Sequence, residues 1–295
     1  MHRLTLDEAR RIAVRAQLLD ARRPGDVVEV AEQIGAIKID PTATIAPAEQ
    51  TAPWSRIGWG HEPGQLRKAV ETDRLLFEND GCFWAGSLLA PTLSIMRHGP
   101  RRQAKVDYLE ANDAFRLGIL ARLRAGGPLA ASEFTDTSVV QRDRSSGWYG
   151  PNEVPRMLEV LARVGEVAIA GRAGRQRLWD LSERVYPADL PTFEPVEAEV
   201  ILQRRRLQAA GIAKQNSPWI PVGTVGEPAE VEGSSWKWRV DPEAIAALDD
   251  DPGGRAAILN PYDRMLFDRP RLTELFEFTY VLEQFKPKAQ RVYGY

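Results

Sequence analysis

No stretch limits the folding of this chain more than residues 151–187, PNEVPRMLEVLARVGEVAIAGRAGRQRLWDLSERVYP. From Asn152 the apolar residues Val154, Met157, Leu158, Leu161 and Val164 recur at helical spacing, and Gly165 supplies a stop signal. Residues 166–170 and 177–181 then read as two short strands. The connector Gly171-Arg172-Ala173-Gly174-Arg175 is glycine-rich and basic, which suits a hairpin tip that must accept positive φ while presenting charge to solvent.

A helix followed by a basic hairpin is the winged-helix pattern, and the upstream residues extend it. Residues 106–124 form a helix-like run, and Pro128-Leu129-Ala130-Ala131-Ser132-Glu133-Phe134 reads as a short second helix. Three helices and a wing make a helix-turn-helix variant whose last helix usually enters the major groove. Hairpin-tip arginines are also common as merely solvated groups, so the pattern alone leaves a DNA reader and a plain surface turn both open. The net charge of -2 over 295 residues gives no general pull toward nucleic acid, and DNA contact has to rest on local basic clusters. Arg172, Arg175 and Arg177 form one such cluster. The RHGPRRQAK run, with Arg101 and Arg102, forms another.

One cysteine, Cys82, excludes an internal disulfide, and His2, His61 and His98 are too few and too scattered for a zinc site. No apolar run approaches a membrane span, and MHRLTLDEARR lacks a signal-peptide core. A cytoplasmic protein without metal or cofactor is expected, and if the winged-helix pattern is a DNA reader its partner is double-stranded DNA.

Along the chain, Thr5-Leu6-Asp7-Glu8 is a capping pattern ahead of a helix that carries Ala9, Ile12, Ala13, Ala16 and Leu19 on one face. Residues 26–34 read as a second helix ended by Gly35. Ala36-Ile37-Lys38-Ile39-Asp40 alternates like a strand, which would point Lys38 and Asp40 to the same side. Residues 42–60 look like an irregular loop broken by prolines and carrying Trp54 and Trp59. Aromatics at the density found in this first third suit a core better than a stacking platform. Further on, residues 196–210 are helical, Trp236-Lys237-Trp238-Arg239-Val240 alternates, and residues 276–285 are a long apolar strand candidate.

By the C-terminal third the residues carry a signature. Ile258-Leu259-Asn260-Pro261-Tyr262-Asp263, Phe267-Asp268-Arg269 with Arg271-Leu272, the run from Leu275 to Glu283, and Arg291-Val292-Tyr293-Gly294-Tyr295 follow one another. With Trp54-Ser55-Arg56-Ile57-Gly58, Leu76-Phe77-Glu78 and Gly127-Pro128-Leu129, they resemble the AlkZ/YcaQ-like winged-helix DNA glycosylases, and the likeness spreads over nearly the whole chain. The resemblance implies excision of alkylated or cross-linked purines. It also implies a mainly α fold with small β hairpins (α+β) and tandem winged-helix domains. The expected division is a first winged-helix-like domain over 1–105, a second over 106–187, an incomplete third over 188–257, and the start of a truncated β region over 258–295.

The family's catalytic Q-x-Q or Q-x-D signature falls on Lys38-Ile39-Asp40, where Asp40 matches and Lys38 does not. The family tends to carry a histidine pair at the positions of Glu49 and Gln50. Breaking an N-glycosidic bond passes through an oxocarbenium-like sugar that a carboxylate stabilises while it orients water. An N7-alkylated purine carries its positive charge before it leaves and departs as a neutral base without being protonated, so Asp40 alone could serve. A lysine about 5 Å from such a cation repels it by roughly 1 to 3 kcal/mol, which a glutamine would not. Two expectations follow: a diverged glycosylase using Asp40 and Lys38, or a non-catalytic DNA-binding protein that keeps the scaffold.

Overall fold

Thr5 and Glu8 cap the first helix, Leu6–Ala16, as the sequence predicts. The Thr5 hydroxyl accepts from the Glu8 amide at 3.2 Å while the Glu8 carboxylate accepts from the Thr5 amide at 2.7 Å. The structure is a computed structural model and describes residues 1–42, 45–99, 102–141, 152–251, 253–284 and 286–292. It is a mixed α and β protein with two units, one built from Met1–Gln65 and Gln203–Tyr295, the other from Leu66–Leu202.

The first unit joins distant parts of the chain. His2–Leu4 pairs in parallel with Glu227–Val231, which pairs antiparallel with Trp238–Val240, and that strand in turn with Ile212–Lys214. The helix Leu6–Ala16 lays Ile12 and Ala13 on this sheet with Trp238, Val240 and Leu275, all buried. Gly211, at φ +70°, ends the helix Pro195–Ala210 where a Cβ would meet the Ile12 carbonyl oxygen at 2.8 Å, so only glycine turns the chain there.

Residues 42–60, expected as a loop, contain the helix Ala48–Ile57. Pro53 lies inside it and cannot donate to the Glu49 carbonyl, which is why the sequence reads as irregular. Bonds from far along the chain hold the helix instead. Asn260 Nδ2 donates to the Thr51 hydroxyl, and the Ser55 hydroxyl donates to the Ile258 carbonyl at 2.6 Å. Arg56, fully buried, donates to the Gln17 carbonyl at 3.1 Å and to both carboxylate oxygens of Asp263, one of them at 2.9 Å. The signature residues of the sequence thus clamp one helix.

The second unit contains the helix Val154–Arg163 with Val154, Met157, Leu158 and Leu161 fully buried, matching the predicted apolar face. It packs on the helix Asp113–Gly126 through Phe115, Ile119 and Leu123. The hairpin strands run further than the sequence suggests, Val167–Ala173 and Gln176–Leu181, leaving Gly174 and Arg175 as a two-residue turn with φ +60° at the glycine. Residues 128–134, expected as helix, form the strand Leu129–Ala130 on the hairpin's second strand and then the single 3-10 turn Ala131–Glu133. Pairing with that strand holds Leu129 and Ala130 in extended backbone, and the Ala130 amide donates to the Glu133 carboxylate at 2.7 Å, so helical turning starts only at Ala131. A second hairpin, Leu76–Asn79 with Cys82–Ala85, turns at Asp80-Gly81, both at positive φ.

The strand expected over residues 276–285 is absent among its described residues. Phe276 closes the helix Arg269–Phe276, Glu277 stops it at φ +53°, and no strand follows among the described residues. Phe278 and Tyr280 stack on each other at 6.3 Å between ring centroids, and the Arg269 guanidinium lies 5.4 Å from the Tyr280 ring.

Candidate active site and nucleic-acid contacts

Asp26 caps the helix Val27–Ile34 by accepting from the Val28 and Glu29 amides, and Gly35 at φ +82° turns the chain into the strand Ala36–Lys38. That strand stops two residues short of Asp40, because the backbone of Asp40 bonds elsewhere. Its amide donates to the Glu49 carboxylate at 3.1 Å and its carbonyl accepts from the Ala48 amide at 3.3 Å. The Asp40 carboxylate accepts from the Thr42 amide at 2.8 Å, a local turn that orients the side chain. Asp40 is therefore fixed to the first turn of the helix Ala48–Ile57 rather than to a sheet ladder. Its side chain is half-buried, as is that of Lys38, so both groups keep access to solvent.

Two neighbours escaped the sequence reading. Glu49 brings a second carboxylate to the backbone of Asp40, at a position where the resembled family tends to carry histidine; that departure was the signal that could have found it. One residue on, Gln50 Oε1 accepts from Nε2 of His61 at 3.2 Å, which leaves the proton on Nε2 and the buried Nδ1 without a hydrogen-bond partner. Burial holds the His61 pKa below the usual histidine value, so this ring is neutral at neutral pH.

The basic residues divide. Arg172 and Arg177 lie side by side across the hairpin and both turn to Glu78 of the second hairpin. Arg172 Nη2 and Nε donate at 2.6 and 3.2 Å, and Arg177 Nε at 2.8 Å, to a carboxylate whose side chain is 1% exposed. The Glu71 carboxylate adds a bond from the Arg172 amide at 3.0 Å. Arg175 alone of the three stands exposed, in the turn itself. Arg102 is exposed at the start of the helix Gln103–Ala111, and Arg101 lies outside the described residues. No described helix is long and apolar enough to cross a membrane.

The family described as DNA glycosylase AlkZ-like matches residues 31–218 and 222–294, a span that takes in Lys38, Asp40, Glu49, the basic hairpin and the clamp around Arg56. The chain belongs to that family. Among solved structures, the Streptomyces sahachiroi DNA glycosylase AlkZ superposes with a TM-score of 0.58 over 90% of this chain and 77% of that one, at 16% identity. At that identity the likeness speaks for the fold alone. In this member of the AlkZ-like family, the contacts of Arg56 with Asp263 join two of the segments that carry the resemblance and hold in place the helix to which Asp40 is anchored. The Asp268 carboxylate caps the helix Arg269–Phe276 and accepts from the Ser217 hydroxyl at 2.8 Å. Arg271, fully buried, donates to the carbonyls of Ile212 and Ala210, and burial lowers its pKa to about 10, so it stays charged at neutral pH.

Proposed function

We propose that this chain hydrolyses the N-glycosidic bond of N7-alkylated purines in duplex DNA, with Asp40 as the carboxylate that stabilises the oxocarbenium-like sugar and orients water. The observation that carries the reading is the anchoring of a solvent-reachable Asp40, within the span of the family match, to a helix clamped by the family's own signature residues. The departing base is already cationic, so no strong general acid is needed. The order of elements from the helix Asp113–Gly126 through strand, 3-10 turn, helix Val154–Arg163 and hairpin supports reading that part as a winged helix, one of the tandem set.

The test is abasic-site formation on an N7-alkylated duplex. Asp40→Asn suits it because the amide keeps an oxygen to accept from the Thr42 amide, so the turn survives while the charge is lost. Excision is expected to fall by roughly 100-fold or more, the scale of removing a preorganised electrostatic stabiliser, with duplex affinity nearly unchanged. Lys38→Gln should raise excision, since it removes a cation from beside the developing positive charge. One observation favours a second reading, a DNA-binding scaffold without catalysis: Lys38 stands where the family pattern has glutamine. A parent protein that makes no abasic sites on any alkylated duplex would select that reading.

A further inference from the structure

Trp59 is 97% exposed. A tryptophan side chain offers about 150–250 Å² of largely apolar surface, and leaving nearly all of it in water gains the fold nothing. The residue is nevertheless held in place. Gly58, at φ +78°, ends the helix Ala48–Ile57 with its amide on the Trp54 carbonyl, and the His61 amide closes the turn on the Gly58 carbonyl at 3.0 Å. At φ +78° position 58 favours glycine, because other side chains are strained there, and the Arg23 guanidinium beside it donates to the Arg56 carbonyl at 3.0 Å. Trp54, itself 44% exposed, meets the Trp59 ring edge to face, with centroids 6.4 Å apart and planes at 81°. A braced ring that projects from a fixed turn is what a stacking wedge requires.

We propose that Trp59, buttressed by Trp54, stacks against a base left unstacked in duplex DNA beside the damaged nucleotide. The inference rests on the glycosylase reading above, since the same rigid helix carries Glu49, which holds Asp40, at one end and Trp54 five residues later. Five residues of helix rise about 7.5 Å, close to two base steps of about 3.4 Å each. A second copy of the chain fits the surface less well: an interface takes about 800 Å² from each partner, about two to four times what these two rings present. Stacking against bases tolerates any sequence, because every base has a π face. The exposed Arg23 lies beside Gly58, the residue before the ring.

Anisotropy titrations of the full chain with two duplexes test this, one intact and one carrying a single tetrahydrofuran abasic-site analogue. The parent should prefer the abasic duplex. Trp59→Ala should weaken binding to it by about 5- to 150-fold, the range for losing one base–aromatic stack, and leave the intact duplex within about 2-fold. Trp59→Phe should keep most of the preference. Trp59 is exposed enough that neither variant should disturb folding. No bond is broken in this assay, so an inactive glycosylase leaves its readout standing, whereas unchanged binding by Trp59→Ala in a protein that still excises overturns the wedge alone. Equal weakening on both duplexes, a parent that binds neither, or a change in solution mass with Trp59→Ala would each overturn it as well.

Discussion

The sharpest perturbation is at the hairpin Val167–Leu181, where the sequence points to phosphate and the geometry points to Glu78. Removing both arginines, Arg172→Ala with Arg177→Ala, leaves the Glu78 carboxylate buried with neither of its cations. Each pair contributes about 4 kcal/mol of attraction at a charge separation of about 4 Å and an effective dielectric of about 20. Desolvating the carboxylate opposes this by several kcal/mol, so the intact triad is close to neutral overall. The asymmetry appears on breaking it: a stranded buried charge costs about 3–5 kcal/mol. Arg172→Ala alone should cost about 1.5–3 kcal/mol, the scale of a hydrogen bond to a charged group, because Arg177 remains at 2.8 Å. Adding Glu78→Met to the double variant removes the stranded charge and should restore most of the loss. Urea unfolding read at constant slope measures all of this. In salt titrations of duplex binding, Arg175→Ala should lower the slope by about 1 with no change in stability. If the double variant stays within about 1 kcal/mol of the parent and instead drops the salt slope by about 2, the arginines serve phosphate and the reasoning from Glu78 is wrong.

Two other expectations concern the first unit. Arg56→Lys cannot supply the donors that reach Asp263, Gln17 and Ala52 together, and it should cost about 3–5 kcal/mol in denaturant unfolding; a loss below about 1 kcal/mol would mean the clamp is dispensable. His61 contributes in the opposite sense to a paired histidine. Its folded pKa is depressed, so its stabilising contribution is complete above the unfolded value near 6.5 and is lost as pH falls through the lower folded value. Melting curves from neutral to acidic pH should therefore fall less steeply for His61→Gln than for the parent, and parallel profiles would refute the assignment.

Local signals carried much of this fold. The Thr5–Glu8 box, the apolar face from Val154 to Leu161 and the glycine stops at Gly35, Gly165 and Gly211 are each set within a few residues, and each is where the sequence puts it. What stayed hidden depends on partners far along the chain. Glu78 is 94 and 99 residues from the two arginines it holds, so the hairpin reads as free charge until the fold is seen. The helix Ala48–Ile57 is disguised by Pro47 and Pro53, and its compensating bonds come from residues more than 200 positions later. The turn at Asp80-Gly81 was legible and passed over: Asp-Gly between apolar runs is a strong hairpin signal. At the site, Asp40 follows from the family pattern alone. Its hold on Glu49 depends on where the loop returns, which no periodicity reports. Aromatic density suggested a core, and at Trp59 it misled, since density does not tell which ring faces water.

The parallel pairing of His2–Leu4 with Glu227–Val231 also sets a timetable for a chain emerging from the ribosome. At about 5–20 residues per second, the first strand waits roughly 10 to 45 s for its partner to be made. Residues 66–202 form a unit continuous in sequence, so every contact within it is available about 2 to 8 s before the last strand of the other unit's sheet, Trp238–Val240, is made. The helix Leu6–Ala16, with Ile12 and Ala13 meant for that sheet, spends the interval with its apolar face uncovered. A nascent chain halted before residue 227 should then be cut by protease within residues 1–34 while residues 154–181 resist. The vulnerable interval in the life of this protein is its synthesis, and a slower ribosome would lengthen it.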